Sequence, residues 1–170
     1  MGHRTSGAFV HVMKTGGSSF VTYVRRRLPA EEIWPSQEGA TIGGGTYTDV
    51  DGLRSLSAAD RSRIRLYAGH IPYVAAAMVG ADVTMTVLRD PVERTISFLR
   101  HAKVHHPKHR DSTLVEIYED PQQYGFFVHE YQVRQFAKGA GDDLAHFAAL
   151  WIDEERAARA RENLARVDLI

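Results

Sequence analysis

The stretch Phe9-Val-His-Val-Met-Lys-Thr-Gly-Gly-Ser-Ser-Phe20 constrains the chain more than any other. An apolar strand runs into a lysine, a hydroxyl residue, two glycines and two serines, and a helical pattern follows. Glycine lets backbone approach a ligand closely, amides that open a helix point at an anion, and lysine adds a full positive charge. The segment therefore reads as a holder for an oxyanion. It differs from the nucleotide-triphosphate loop, which needs a glycine five residues before its Gly-Lys-[Ser/Thr] end. Here Lys14 precedes Gly16 and Gly17, and the reversed order puts the lysine at the strand end, close to the bond to be broken.

A second junction has the same form. Thr84-Met-Thr-Val-Leu-Arg-Asp-Pro-Val-Glu-Arg-Thr-Ile-Ser97 predicts a strand, then a helix capped by Asp90 with Pro91 at its first position. Arg89 stands at the strand end. The helical period puts Ser97 on one polar face with Arg94 and His101, and Val92, Ile96 and Leu99 on the buried face.

Together the two segments resemble the cofactor motifs of sulfotransferases that use 3′-phosphoadenosine 5′-phosphosulfate (PAPS), in the bacterial and carbohydrate-modifying branch that includes the heparan sulfate 2-O-sulfotransferases. That family's first loop, His-Ile-Pro-Lys-Thr-Gly-Gly-Thr-Ser, binds the 5′-phosphosulfate. Lys14, Thr15, Gly16, Gly17, Ser18 and Ser19 align with it without a gap, and Met13 replaces the usual proline. The family's second motif, Arg-Asp-Pro-x-x-Arg with a serine eight residues after the first arginine, binds the 3′-phosphate. Arg89 and Ser97 reproduce that spacing. The resemblance implies PAPS as donor, adenosine 3′,5′-bisphosphate as product, and a carbohydrate or glycolipid hydroxyl as acceptor.

A third segment, Tyr67-Ala-Gly-His-Ile-Pro-Tyr73, follows the strand expected from Ile64 to Ala68. A lone histidine at a strand end has two uses, as a structural hydrogen-bonding residue or as a proton acceptor. The resemblance selects the second, because the 2-O-sulfotransferases carry their general base at a similar Gly-His step. His70 and Lys14 are thus the implied catalytic residues. A sugar hydroxyl is a weak nucleophile at neutral pH, and imidazole titrates where it can accept that proton. Gln132 and Arg134, in Tyr131-Gln-Val-Arg134, resemble a Gln-x-Arg step of the same branch and so imply an acceptor-binding pair. His11 reads as a core histidine in mid-strand. The cluster His101, His105, His106 and His109 lacks a metal-ligand spacing and lies among Lys103, Lys108 and Arg110, so no metal is expected; a solvated loop or a basic rim fits it better.

Alternating β and α patterns over the chain predict an α/β fold of three layers, a central parallel sheet flanked by helices, and the resemblance makes it P-loop-like. The 170 residues suit one domain spanning 1–170, and Val167-Asp-Leu-Ile170 reads as a strand just beginning, so the domain is expected to be incomplete at its carboxyl end. Helices are expected over Gly17–Arg27, over a short stretch capped by Ser57, and over Ser112–Glu119, Gln123–Lys138 and Asp142–Arg166, the last with Leu144, Phe147, Leu150, Trp151 and Leu164 on or near its inner face; Glu31–Asp51 reads as an irregular excursion, either surface loop or lid. With 21 basic and 21 acidic residues there is no net field to attract nucleic acid. No apolar run approaches the ~18 residues of a membrane span, no signal peptide is evident, and zero cysteines fit a cytoplasmic setting. Two rival classes stay open. One is an ATP-dependent kinase using Asp90 for magnesium, and the other is a non-catalytic fragment that binds a nucleotide or anion.

Overall fold

The computed structural model describes residues 5–36, 41–42, 45–46 and 50–170. Its strands are β1 (Gly7–Val10), β2 (Ile33–Trp34), β3 (Thr41–Ile42), β4 (Gly45–Thr46), β5 (Leu66–Gly69) and β6 (Val83–Thr86). The helices are α1 (Gly17–Arg25), α2 (Val50–Arg54), α3 (Ala58–Arg63), α4 (Tyr73–Val79), α5 (Pro91–His105), α6 (Leu114–Glu119), α7 (Pro121–Gln123), α8 (Tyr131–Ala137) and α9 (Glu154–Ala165). A π-helical turn, Tyr124–Val128, joins α7 towards α8.

The main sheet is four-stranded and wholly parallel, in the order β2-β5-β1-β6. Period-two alternation buries both of its faces. Ala8, Val10 and Tyr67 enter a core with residues of α2, α4, α8 and α9, whereas Phe9, Leu66 and Ala68 pack with Val21 of α1. This is the α/β layering that the sequence predicts. The chain leaves β1 towards β2 on one side. After β6 it returns on the other side, where Leu169 forms a parallel bridge to Met85 and accepts from the Thr86 amide at 3.0 Å. Connections that diverge from adjacent strands open a crevice at their carboxyl ends. The loops after β1 and β6, which carry Lys14 and Arg89, flank that crevice.

Several local expectations hold. Ser57 caps α3 by accepting from the Asp60 amide, and Asp90 caps α5 by accepting from Val92 and Glu93. Others need correction. The Asp142–Arg166 helix begins only at Glu154. Before it, Asp142 accepts from the Gly139 amide, Asp143 from the Ala145 amide, and Lys138 Nζ donates to the Ala145 carbonyl. These side-chain bonds satisfy backbone groups that a helix would have claimed. Trp151 and Phe147, expected inside, are 73% and 46% exposed. The Gln123–Lys138 helix is split by the π turn and by Glu130 in the left-handed region at φ 49°.

On α5 the buried residues are Arg94, Phe98, Leu99 and Ala102, while Val92 is 66% exposed. Arg94 therefore belongs to the inner face rather than the polar one, for a reason given below. Most of the Glu31–Asp51 excursion, including any lid, lies outside the described residues. Among the described residues no helix is long and apolar enough to cross a membrane.

Candidate active site

The loop after β1 is built from two left-handed residues, Lys14 at φ 69° and Gly16 at φ 99°. Thr15 is buried and its hydroxyl donates to the Val12 carbonyl at 2.8 Å, tying the loop to the strand it leaves. That proton is thus engaged inside the loop, and the exposed hydroxyls are those of Ser18 and Ser19. Helix α1 starts at Gly17 with no side-chain cap and no acid in its first turn; the Ser19 amide donates to the Gly16 carbonyl at 3.0 Å, and the amides of Gly17 and Ser18 with the positive dipole end are left to face an anion.

The two glycines serve different ends. Gly16 supplies the left-handed angle, which a side chain disfavours. Gly17 makes room for a neighbour: a Cβ there would lie 2.2 Å from Cδ2 of His11 and 2.9 Å from Cε1 of Phe9. The close approach seen in the structure is that of a buried imidazole beneath the helix start.

From the adjacent strand end, Arg89 projects with its guanidinium 3.1 Å from Glu93. Its backbone is held on both sides by the Gln132 amide, which accepts from the Arg89 N–H at 3.2 Å and donates to the Arg89 carbonyl at 2.8 Å. Gln132 therefore positions Arg89. Arg94 is 1% exposed; its Nε donates to the Met13 carbonyl at 3.1 Å, and its Nη1 donates to the Phe127 carbonyl. The guanidinium also lies 4.3 Å from the Tyr131 ring centre. Its Nη2 is buried with no hydrogen-bond partner among the described residues. These bonds explain why a charged residue occupies the inner face of α5: it joins the anion loop to the π turn.

Cations accumulate here. Burial lowers the Lys14 ammonium, and the two charges that lower it further belong to Arg94 and Arg89. His101, on the same helix as half-buried Ser97, is pushed down to about 4 by burial, then by Lys14, His105 and His106. Lys14, in the loop after β1, and Arg89 and Arg94, beside and within the start of α5, thus lie within electrostatic reach of one another.

His70 is 6% exposed at the end of β5. Its Nδ1 lies 2.7 Å from the His11 carbonyl, and its ring stacks between His11, at 4.3 Å between centres, and His146, at 5.3 Å. Burial lowers the His70 pKa, the His11 carbonyl opposes that shift, and Arg94 reinforces it. Arg94 therefore acts on both Lys14 and His70. Arg134 is used differently from the expectation. It is 1% exposed and donates to the carbonyls of Gly125, Phe126 and Ala148, so it secures the π turn and leaves no free face for an acceptor.

Compared with models of protein families, with curated proteins and with solved structures, the chain matches none.

The geometry itself limits the chemistry. An uncapped helix end beside a lysine, with an arginine at the neighbouring strand end, suits a phosphate or sulfate group. Among the described residues no three His, Cys, Asp or Glu groups are placed to hold a metal. The His101 and His105 rings lie 4.2 Å apart, tilted by 41°, but as a pair. Sequence reasoning passed over His146, which falls in a segment read as helix. It also missed the clamp made by Arg94, although the i, i+4, i+8 spacing of Arg94, Phe98 and Ala102 carries that signal.

Proposed function

We propose that this chain is a PAPS-dependent sulfotransferase domain of P-loop-like fold, transferring a sulfuryl group to a carbohydrate or glycolipid hydroxyl. The observation that carries the reading is that both residues hang on the exit of β1: His70 Nδ1 lies 2.7 Å from the His11 carbonyl, and Lys14 stands in the loop that Arg94 Nε holds through the Met13 carbonyl at 3.1 Å. The uncapped start of α1 fits a phosphosulfate group, and the parallel sheet with a loop and helix after its inner strand supports the fold assignment.

In this reading Lys14 and the amides from Gly16 to Ser19 hold the 5′-phosphosulfate, with hydroxyls from Ser18 and Ser19. Arg89 and Ser97 hold the 3′-phosphate. PAPS, when bound, supplies the sulfuryl group. His70 removes the acceptor hydroxyl proton as that oxygen bonds to sulfur, and Lys14 stabilises the charge gathering on the departing phosphate oxygen. The kinase alternative is weakened because Asp90 is engaged by the Val92 and Glu93 amides, both at 3.0 Å. A second reading, nucleotide binding without transfer, is favoured by the 6% exposure of His70.

Thermal melting separates these readings from none at all. Adenosine 3′,5′-bisphosphate is expected to raise the melting temperature well above the effect of AMP, with Arg89→Ala removing the difference. Equal shifts for the two nucleotides refute the 3′-phosphate assignment. Transfer of labelled sulfur to a panel of glycans then distinguishes an enzyme from a binding domain.

A further inference from the structure

We propose that His11 and His146 are positioning residues that hold the His70 imidazole in one plane and in its Nδ1–H tautomer, as the middle ring of a stack rooted under the anion loop. The inference rests on the reading of His70 as the general base and gives that base its required geometry.

The stack starts at the loop. The His11 ring lies so close beneath Gly17 that a Cβ there would fall 2.2 Å from Cδ2. On its other side His11 meets His70, the rings inclined by 28°, and His70 meets His146 at 30°. Three near-parallel rings thus run from the start of α1 to the 145–148 segment and leave the middle one little freedom to tilt. The hydrogen bond supplies direction. A backbone carbonyl only accepts, so the His11 carbonyl at 2.7 Å requires the proton on His70 Nδ1. A neutral ring then carries its lone pair on Nε2, the atom that would take a proton.

The outer ring is itself fixed at some expense. Gln135 Nε2 donates to the His146 carbonyl at 3.3 Å, Lys138 Nζ donates to the Ala145 carbonyl, and Arg134 to the Ala148 carbonyl. All three of these polar side chains are 1% exposed. Burying a lysine, an arginine and a glutamine to pin four residues is costly unless those residues must keep their place. Burial keeps the stack neutral, and the cations beside it, Arg94 towards His70 and Lys138 towards His146, act in the same direction.

The test is two-bond ¹H–¹⁵N correlation spectroscopy on the full chain labelled at histidine nitrogen. At pH 7 His70 is expected to give the Nδ1–H pattern in the wild type and in His146→Phe, which keeps a ring face. In His146→Ala the pattern is expected to shift towards an average of both tautomers; His146→Leu, which fills the space without a ring, replaces it if the alanine chain does not fold. With a verified acceptor, His146→Ala is expected to lower kcat by about 10- to 100-fold at unchanged KM for PAPS, and His146→Phe to recover most of the loss. A proton on His70 Nε2, or a His70 pattern indifferent to loss of the ring at 146, overturns the proposal. Expected spectra in a chain that transfers no sulfur would uphold the positioning and refute only the base.

Discussion

Gly17→Ala tests the central packing claim without reference to any ligand. A methyl group at this position would start 2.2 Å from Cδ2 and 2.5 Å from Nε2 of His11. The optimum for such contacts is roughly 3.5–4.0 Å, so the overlap is more than about 1 Å. The His11 ring has nowhere to retreat: it is 3% exposed, with Phe9 5.5 Å away and His70 4.3 Å away. Overpacking of this kind costs about 1–3 kcal/mol, and the better helix propensity of alanine offsets at most about 1 kcal/mol. A net loss of about 1–2 kcal/mol lowers the melting temperature by roughly 2–8 °C in a chain of this size. Thermal and urea unfolding of the purified protein measure it. Gly16→Ala is the control, because its cost comes from φ 99° with no atom within 4 Å of a new Cβ. The two penalties separate in the background of His11→Ala, where the Gly17 penalty should shrink to the lesser clash with Phe9 Cε1 at 2.9 Å and the Gly16 penalty persist. An unchanged or higher melting temperature for Gly17→Ala, or a coupling to His11 below about 0.5 kcal/mol, would refute the placement of the ring.

Arg94→Met should cost about 2–4 kcal/mol in urea unfolding, because it leaves the Met13 and Phe127 carbonyls without their buried donor; a loss under about 1 kcal/mol would deny the clamp. Stability should fall on acidification from about pH 6.5 towards 3. Burial holds His11 and His146 down near 3 against an ordinary value of 6.5, so the unfolded chain binds more protons across that window. Each ring accounts for a loss of about 1 kcal/mol by pH 5.5, and His146→Phe should remove one share; a flat profile between pH 7 and 5 would contradict neutral buried rings. In a transfer assay His70→Ala should cut turnover about 100-fold or more at nearly constant PAPS affinity, whereas Lys14→Ala should weaken both, and full turnover by His70→Ala would return His70 to a structural role.

What could be read from the sequence was what local pattern determines. β1 and β5 are apolar on both faces and stand out as runs, and the caps Ser57 and Asp90 act within three residues of themselves. The 142–153 segment could not be read, because the groups that keep it from coiling include Arg134, Gln135 and Lys138, which belong to a different element. The same is true of His146, 76 positions from its partner ring in His70. The face of α5 was misread for a related reason. Arginine counts as polar in a periodicity argument, yet Arg94 and Arg134 are both buried and both donate to backbone carbonyls where a water molecule would serve at the surface.

This misreading bears on function. A guanidinium on the solvent face of α5 would be screened from Lys14, whereas one buried beside the loop repels it at close range. The fold accepts that repulsion because Arg94 is held by two carbonyls and the face of Tyr131. An anion placed beside Lys14 would offset that repulsion. Sulfate should therefore stabilise this chain more than its exposed charges imply, and Arg94→Met should reduce that gain even if Arg94 itself never touches the ion.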